Sequence, residues 1–206
     1  MNSTLKIGLL SALILVCGIF VLSRLRTKPG AAKPRFEHVG ITVGELAAKE
    51  LSAGDSVLIL GRDGDRPLLA AQMKGFEEAL GERIQADVTS AFLAVPAGVD
   101  MMDYMPVGVT DAEFDELLEP HGKPDMVVSF LGAPAFGKKT VKRWRAHKPT
   151  FIVVGATKQD VQQSLEAGLI DLAFVFRGGG AGLAKKGSST AEWVDAYYQV
   201  LRGKQR

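Results

Sequence analysis

The chain of 206 residues has almost no cysteine. Its single one, Cys17, sits inside an apolar run, and none follows. Residues 18–206 therefore hold no disulfide, no thiolate nucleophile and no cysteine metal site. Histidine is scarce too: His38, His121 and His147 show no metal-ligand spacing. No G-x-S-x-G elbow is present, so no serine is marked as a nucleophile. The phosphate-loop pattern fails because Ser188 stands after Gly187, where lysine is needed. The pattern G-x-G-x-x-G fails at Leu183. No catalytic residue, metal ligand or cofactor is assigned.

Acid is missing from the first 35 residues, which carry Lys6, Arg24, Arg26, Lys28, Lys33 and Arg35. All 23 acids lie in residues 36–206 beside 19 of the 25 cations, so that part is near neutral and slightly acidic. Such a surface lacks the field that attracts phosphate backbones, and nucleic acid is not expected as a partner.

Residues 7–23, IGLLSALILVCGIFVLS, hold no charge and are bracketed by Lys6 and Arg24. As a helix they would extend roughly 26 Å. That is short for a hydrocarbon core of about 30 Å, but workable if the flanking cations snorkel. The expectation is an uncleaved signal-anchor over residues 1–26, with residues 7–23 in lipid and the protein single-pass in a bacterial inner membrane. Two other readings compete. A cleaved signal peptide would use the late Ala31 and Ala32. A lipoprotein signal at Cys17 would need a small residue where Val16 stands. The cations after the run place the body in the cytoplasm by the positive-inside rule. Residues 27–35, TKPGAAKPR, read as a linker, and residues 36–206 as one α/β domain.

Within that domain, short apolar runs alternate with helical periodicity. Strands are expected at 57–60, near Ile84 to Val88, at 126–131, 151–154 and 172–176. Helices are expected at 67–80, from Thr110 to about Glu119, over 137–147, from Thr157 to Ala167, and over 191–201. Thr110-x-x-Glu113 has the capping-box form. Residues 39–43 read as an edge strand and 43–51 as a short helix. The pattern predicts a doubly wound, flavodoxin-like, mostly parallel five-stranded sheet.

In such sheets ligands lie beyond the carboxyl ends of the strands. Three loops fall there: Arg62, Asp63, Asp65 and Arg66 after the first strand; Gly132 with Ala133 and Pro134 after the third; Arg177, Gly178, Gly179 and Gly180 after the fifth. The first is either a polar-ligand loop or a solvated turn with local ion pairs. The glycines of the others would let backbone N–H groups approach an anion, or simply make a flexible loop. Lys138, Lys139, Lys142, Arg143, Arg145 and Lys148 form a cationic helix face. It would meet anionic lipid or pair with acids of segment 100–119.

The stretch VLILGRDGDRPLLAAQMKGFEEALGE, with Gly75, Phe76, Ala79 and Leu80, resembles the opening of the C-terminal lobe of type I, sugar-type periplasmic binding proteins and the related sugar-sensing repressors. PDMVVSF and FIVVGATKQDVQQSLEAGLIDLAFV, with Leu165, Gly168 and Ile170, resemble the strands and helix that follow. Gln72 stands where that family has arginine. Ala156-Thr157 stands where its sugar binders have aspartate. The resemblance implies a single lobe with a small-molecule pocket, Thr157 included, and a periplasmic body, which conflicts with the charge rule. The function expected first is a non-enzymatic, membrane-anchored binding or interaction protein. It would take a small polar ligand or another protein as partner. The alternatives are a structural subunit of a membrane complex and an enzyme acting on a phosphorylated small molecule at the strand-end loops.

Overall fold

Strands that are apolar on both faces fold into the interior of a parallel sheet, because crossover helices then cover each side. The computed structural model, which describes residues 33–62, 67–94, 109–177 and 188–204, has that architecture. Strands β1 (Ser56–Arg62), β3 (Met126–Ser129), β4 (Thr150–Ala156) and β5 (Leu172–Phe176) are buried along most of their length. β2 (Asp87–Leu93) and β6 (Tyr198–Arg202) are mostly open to solvent and form the two edges. The order is β2-β1-β3-β4-β5-β6, with every neighbouring pair parallel except β5 and β6.

Helices α1 (Lys33–Glu50), α2 (Pro67–Gly81) and α6 (Thr190–Tyr197) cover one face. There Val39, Val43, Phe76, Leu80 and Trp193 pack on Ile59, Val128 and Phe174. Helices α3 (Asp111–Leu118), α4 (Lys138–His147) and α5 (Lys158–Glu166) cover the other. Phe114 stacks on Phe151 with ring centroids 5.8 Å apart, and Trp144 meets Phe151 edge-on at 5.0 Å. Among the described residues three helices start with a complete capping box: Thr110 with Glu113, Thr157 with Asp160, and Ser189 with Glu192.

Among the described residues the sheet has six strands where five were expected. The segment read as helix 191–201 ends at Tyr197, and Tyr198 turns extended (φ −125°, ψ 147°) to begin β6. Trp193, Tyr197 and Leu201 share helical spacing, so periodicity alone suggested one helix. The open edge of β5 and the burial of Tyr198 favour the strand instead. Residues 39–43 are not an edge strand; they lie within α1, which begins inside the stretch read as a linker. Val39, Val43 and Ala47 recur every fourth residue and are fully buried. Gly40 and Gly44 recur likewise and lie against α2, where a side chain would meet its backbone.

The single-pass membrane placement is corrected. Among the described residues no helix is long and apolar enough to cross a membrane. The longest, α1, carries Lys33, Arg35, Glu37, Glu45, Lys49 and Glu50, charges that a hydrocarbon core does not accommodate. Residues 7–23, on which that placement rested, lie outside the described residues.

Candidate functional site

From β1 the chain crosses to β2 on one side and then returns to β3 on the other. The strand order therefore reverses between β1 and β3, and in open α/β sheets the carboxyl end of such a switch point is where a ligand crevice is expected. Beside it lies a cleft of about 630 Å³. Its walls are the entry to α3 (Val109, Thr110, Asp111), the segment from Leu131 to Ala135 after β3, and Gly155, Ala156 and Asp160 at the end of β4.

Local chemistry fixes these walls. The buried Ser129 hydroxyl donates to the Gly132 carbonyl (2.8 Å) and accepts from the Leu131 N–H (3.3 Å), making a tight turn after β3. Gly132 takes φ 84°, a conformation that favours glycine. The Ala135 N–H donates to the Val109 carbonyl (2.8 Å), tying the loop to the entry of α3. The Gly137 N–H donates to Asp111 Oδ1 (2.7 Å), joining the starts of α3 and α4. On the other wall, Gly155 adopts φ 82° where the pairing of β4 with β5 slips between Val154 and Ala156. That bulge turns the end of β4 away from regular pairing and opens the cleft.

Among the described residues, the charged side chains that line the cleft are the carboxylates of Asp111 and Asp160. The Thr110 N–H, and then its hydroxyl, hold Glu113 below the usual glutamate range; the charge of Arg62 adds to the effect. Asp160 accepts from the Thr157 N–H (3.0 Å) and hydroxyl (2.7 Å). Both helix starts thus already carry their own carboxylate. Arg62, at the end of β1 and only 5% exposed, is the cation of the switch point.

Of the residues nominated from sequence, Gly132 lines the cleft. Thr157 stands at its edge, with its hydroxyl engaged in capping α5. Arg62 lies at the neighbouring strand end. Arg177 is turned to α6 and β6: its Nε donates to the Tyr198 carbonyl (3.0 Å), and it pairs with Asp195 (2.6 Å). Asp63, Asp65, Arg66, Gly178, Gly179 and Gly180 lie outside the described residues. Asp111 and Asp160 were not nominated as site residues. The Thr-x-x-Asp spacing at 157–160, placed after a strand, was the available signal for Asp160. Among the described residues no group of three or more histidine, aspartate or glutamate side chains is gathered to hold a metal ion.

The cationic face of α4 is partly answered within the fold. Asp115 of α3 pairs with Lys139 (3.2 Å) and Arg143 and accepts from the Thr140 hydroxyl. Burial raises the Asp115 carboxyl, but these partners together outweigh it and hold it low.

No protein-family model matches the chain, and no curated protein matches its sequence. Solved structures do match its fold. One, described as the XylFII molecule, superposes with a TM-score of 0.54 at 12% identity, covering 82% of this chain and 61% of that one. Another is an ABC-transporter solute-binding protein from Burkholderia graminis C4D1M in complex with D-arabinose. It gives a TM-score of 0.50 at 16% identity over 68% of this chain and 46% of that one. The fold is like that of one lobe of a sugar-type periplasmic binding protein. Identity this low establishes the fold alone. The chain spans 61% and 46% of the lengths of those two structures.

In this binding-protein-like lobe, the landmarks behind the resemblance are packing residues. Phe76 and Leu80 are buried in the core. Gly75 lies against the Glu37 carbonyl of α1, where a Cβ would stand 2.5 Å from that oxygen. Gly168 ends α5 at φ 66°, and Ile170 is fully buried.

Proposed function

We propose that this lobe is a non-enzymatic binding protein whose cleft at the ends of β3 and β4 holds a small, uncharged, hydroxyl-rich ligand. Residues 36–206 act in this reading as one binding unit. The observation that carries it is the cleft itself: about 630 Å³ at the carboxyl ends of two central strands, beside the crossover point of the sheet. The bound sugar of one structural neighbour supports the ligand class.

The acidic walls favour a neutral ligand over a phosphorylated one. A helix start attracts an anion when its N–H groups and dipole are open to it. Here the starts of α3 and α5 hold Glu113 and Asp160, and Asp111 stands in the same wall. A phosphate would face carboxylates, whereas sugar hydroxyls donate to carboxylates and backbone carbonyls readily. The acidic cleft therefore weighs against the reading of an enzyme on a phosphorylated metabolite.

The test is calorimetric titration of the full chain with pentoses, hexoses and polyols, each beside its phosphate ester. The expected result is saturable binding of a neutral member, with its ester at least about tenfold weaker. Ala133→Trp, which fills the half-buried wall position of the cleft, should abolish that binding. Tighter binding of an ester, binding that survives Ala133→Trp, or no heat from any neutral member would overturn the proposal.

A further inference from the structure

At the other end of the sheet, below the amino ends of β3 and β4, lies a second cavity of about 280 Å³. Its walls are mainly apolar: Leu118 of α3, Pro124 before β3, Trp144 and Ala146 of α4, and Pro149 before β4. These walls are held in place. The Trp144 indole N–H donates to the Leu169 carbonyl (3.1 Å), and the His147 ring donates to the Pro124 carbonyl (2.8 Å). Lys148 closes α4 in a left-handed conformation (φ 54°), its N–H bonded to the Trp144 carbonyl. A cavity bounded by two prolines and two anchored aromatic rings needs little reorganisation to accept an apolar group.

The rim is basic. Lys123 and Arg143 line the mouth, and Lys139 and Lys142 stand one turn back along α4 on the same side as Arg143 and Ala146. Lys139 is 86% exposed and Arg143 43%. Asp115 answers Lys139 and Arg143, and Glu119 ends α3 nearby; the other rim cations face solvent on a body that is acidic overall. A positive rim around an apolar hole is complementary to an acidic chain with a bulky apolar side chain in its middle.

We propose that this face docks an acidic peptide segment of a partner protein, with one apolar side chain inserted between Trp144 and the two prolines and its carboxylates over Lys123, Lys142 and Arg143. The site lies at the end of the sheet opposite the ligand cleft, so both can be filled together. It stands independently of the ligand reading above.

The experiment uses the full chain and fluorescence anisotropy with a labelled dodecapeptide of aspartates and glutamates around a central Leu-Phe pair. A second peptide replaces Leu-Phe by Ser-Ser, a third reverses every charge, and a labelled oligouridylate tests for general polyanion binding. The acidic Leu-Phe peptide should bind best, with about a tenfold loss for Ser-Ser and no binding of the basic peptide. Ala146→Trp, at an exposed position, should cost about tenfold with all charges intact, and Lys123→Glu with Lys142→Glu should cost as much with the cavity intact. Circular dichroism melts confirm that each variant is folded. Equal affinity for the Leu-Phe and Ser-Ser peptides, indifference to Ala146→Trp, tighter binding of the oligouridylate, or no binding of the acidic peptide at about 1 mM each overturns the proposal.

Discussion

Replacing Gly44 by alanine tests whether α1 is docked as described. A Cβ at Gly44 would stand 2.6 Å from the Phe76 carbonyl oxygen, 3.1 Å from Ala79 Cβ and 3.2 Å from the Leu80 nitrogen. A carbon approaches a carbonyl oxygen comfortably at about 3.3 Å or more, so the helices must part by roughly 0.7 Å. The opposing groups are backbone and cannot rotate away. At Gly40 the crowding is worse: a Cβ would overlap the Gln72 carbonyl and sit 2.9 Å from the Phe76 nitrogen. Alanine gains about 1 kcal/mol in helix propensity over glycine, while overpacking costs about 1–3 kcal/mol or more. The clash should win, for a net loss of about 2 kcal/mol at Gly40 and somewhat less at Gly44. For a chain of this size that lowers the melting temperature by roughly 4–8 °C at Gly40. Gly81→Ala is the matched control. It ends α2 with nothing within 4 Å of a new Cβ, so it should stabilise by up to about 1 kcal/mol. Thermal denaturation followed by circular dichroism reads all three. If Gly40→Ala melts at or above the parent temperature, as Gly81→Ala should, α1 does not lie on α2 as described.

Three further outcomes follow from the fold. Phe114 is fully buried and touches Phe136, Trp144 and Phe151; Phe114→Ala should cost about 3–5 kcal/mol in urea denaturation. Gly137→Ala would drive a methyl group into the Asp111 carboxylate; the bond joining the starts of α3 and α4 should break, lowering stability and weakening ligand binding in the cleft together. Glu113, Asp125 and Glu192 are held below the usual carboxylate range, chiefly by the N–H groups of Thr110, Ser56 and Ser189. Their pKa values are lower folded than unfolded, so their contribution is complete above the unfolded value of about 4 and is lost as pH falls through the folded ones. Melting temperature should drop below about pH 4, and the drop should be shallower in Asp125→Asn; an identical acid limb in the variant refutes this account.

The core of the sheet was legible because its strands are apolar on both faces. VLIL, MVVS, FIVV and LAFVF admit few alternatives between their flanking turns, and each became a central strand. The edges were less legible for the same physical reason. β2 and β6 bury little, so their sequences carry weak patterning, and β6 was absorbed into the preceding helical periodicity. α1 was obscured by its own packing device. GITVG looks like a strand by composition, since its glycines and β-branched residues are poor helix formers. The contact that makes them useful lies on α2, some thirty residues later.

The cleft was legible only as a place. Strand ends are readable from sequence, and the topology rule then points to the loops that follow them. Which loop residues converge depends on register. Gly132 and Asp160 line one cleft because β3 pairs with β4 from Met126↔Thr150 onward, and because β4 bulges at Gly155. Arg177, equally prominent in sequence, is drawn off by Asp195 and the Tyr198 carbonyl once β6 returns beside β5. The unforeseen antiparallel strand therefore turns one nominated ligand residue into a brace, while the bulge in β4 leaves an acidic cleft at the centre of the sheet. Among the described residues, Arg62 remains the one nominated cation buried beside that cleft, close enough to depress Glu113. Removing its charge as Arg62→Met should therefore raise the Glu113 pKa, a change that carboxylate NMR titration reads directly, and an unmoved Glu113 would separate Arg62 from the site.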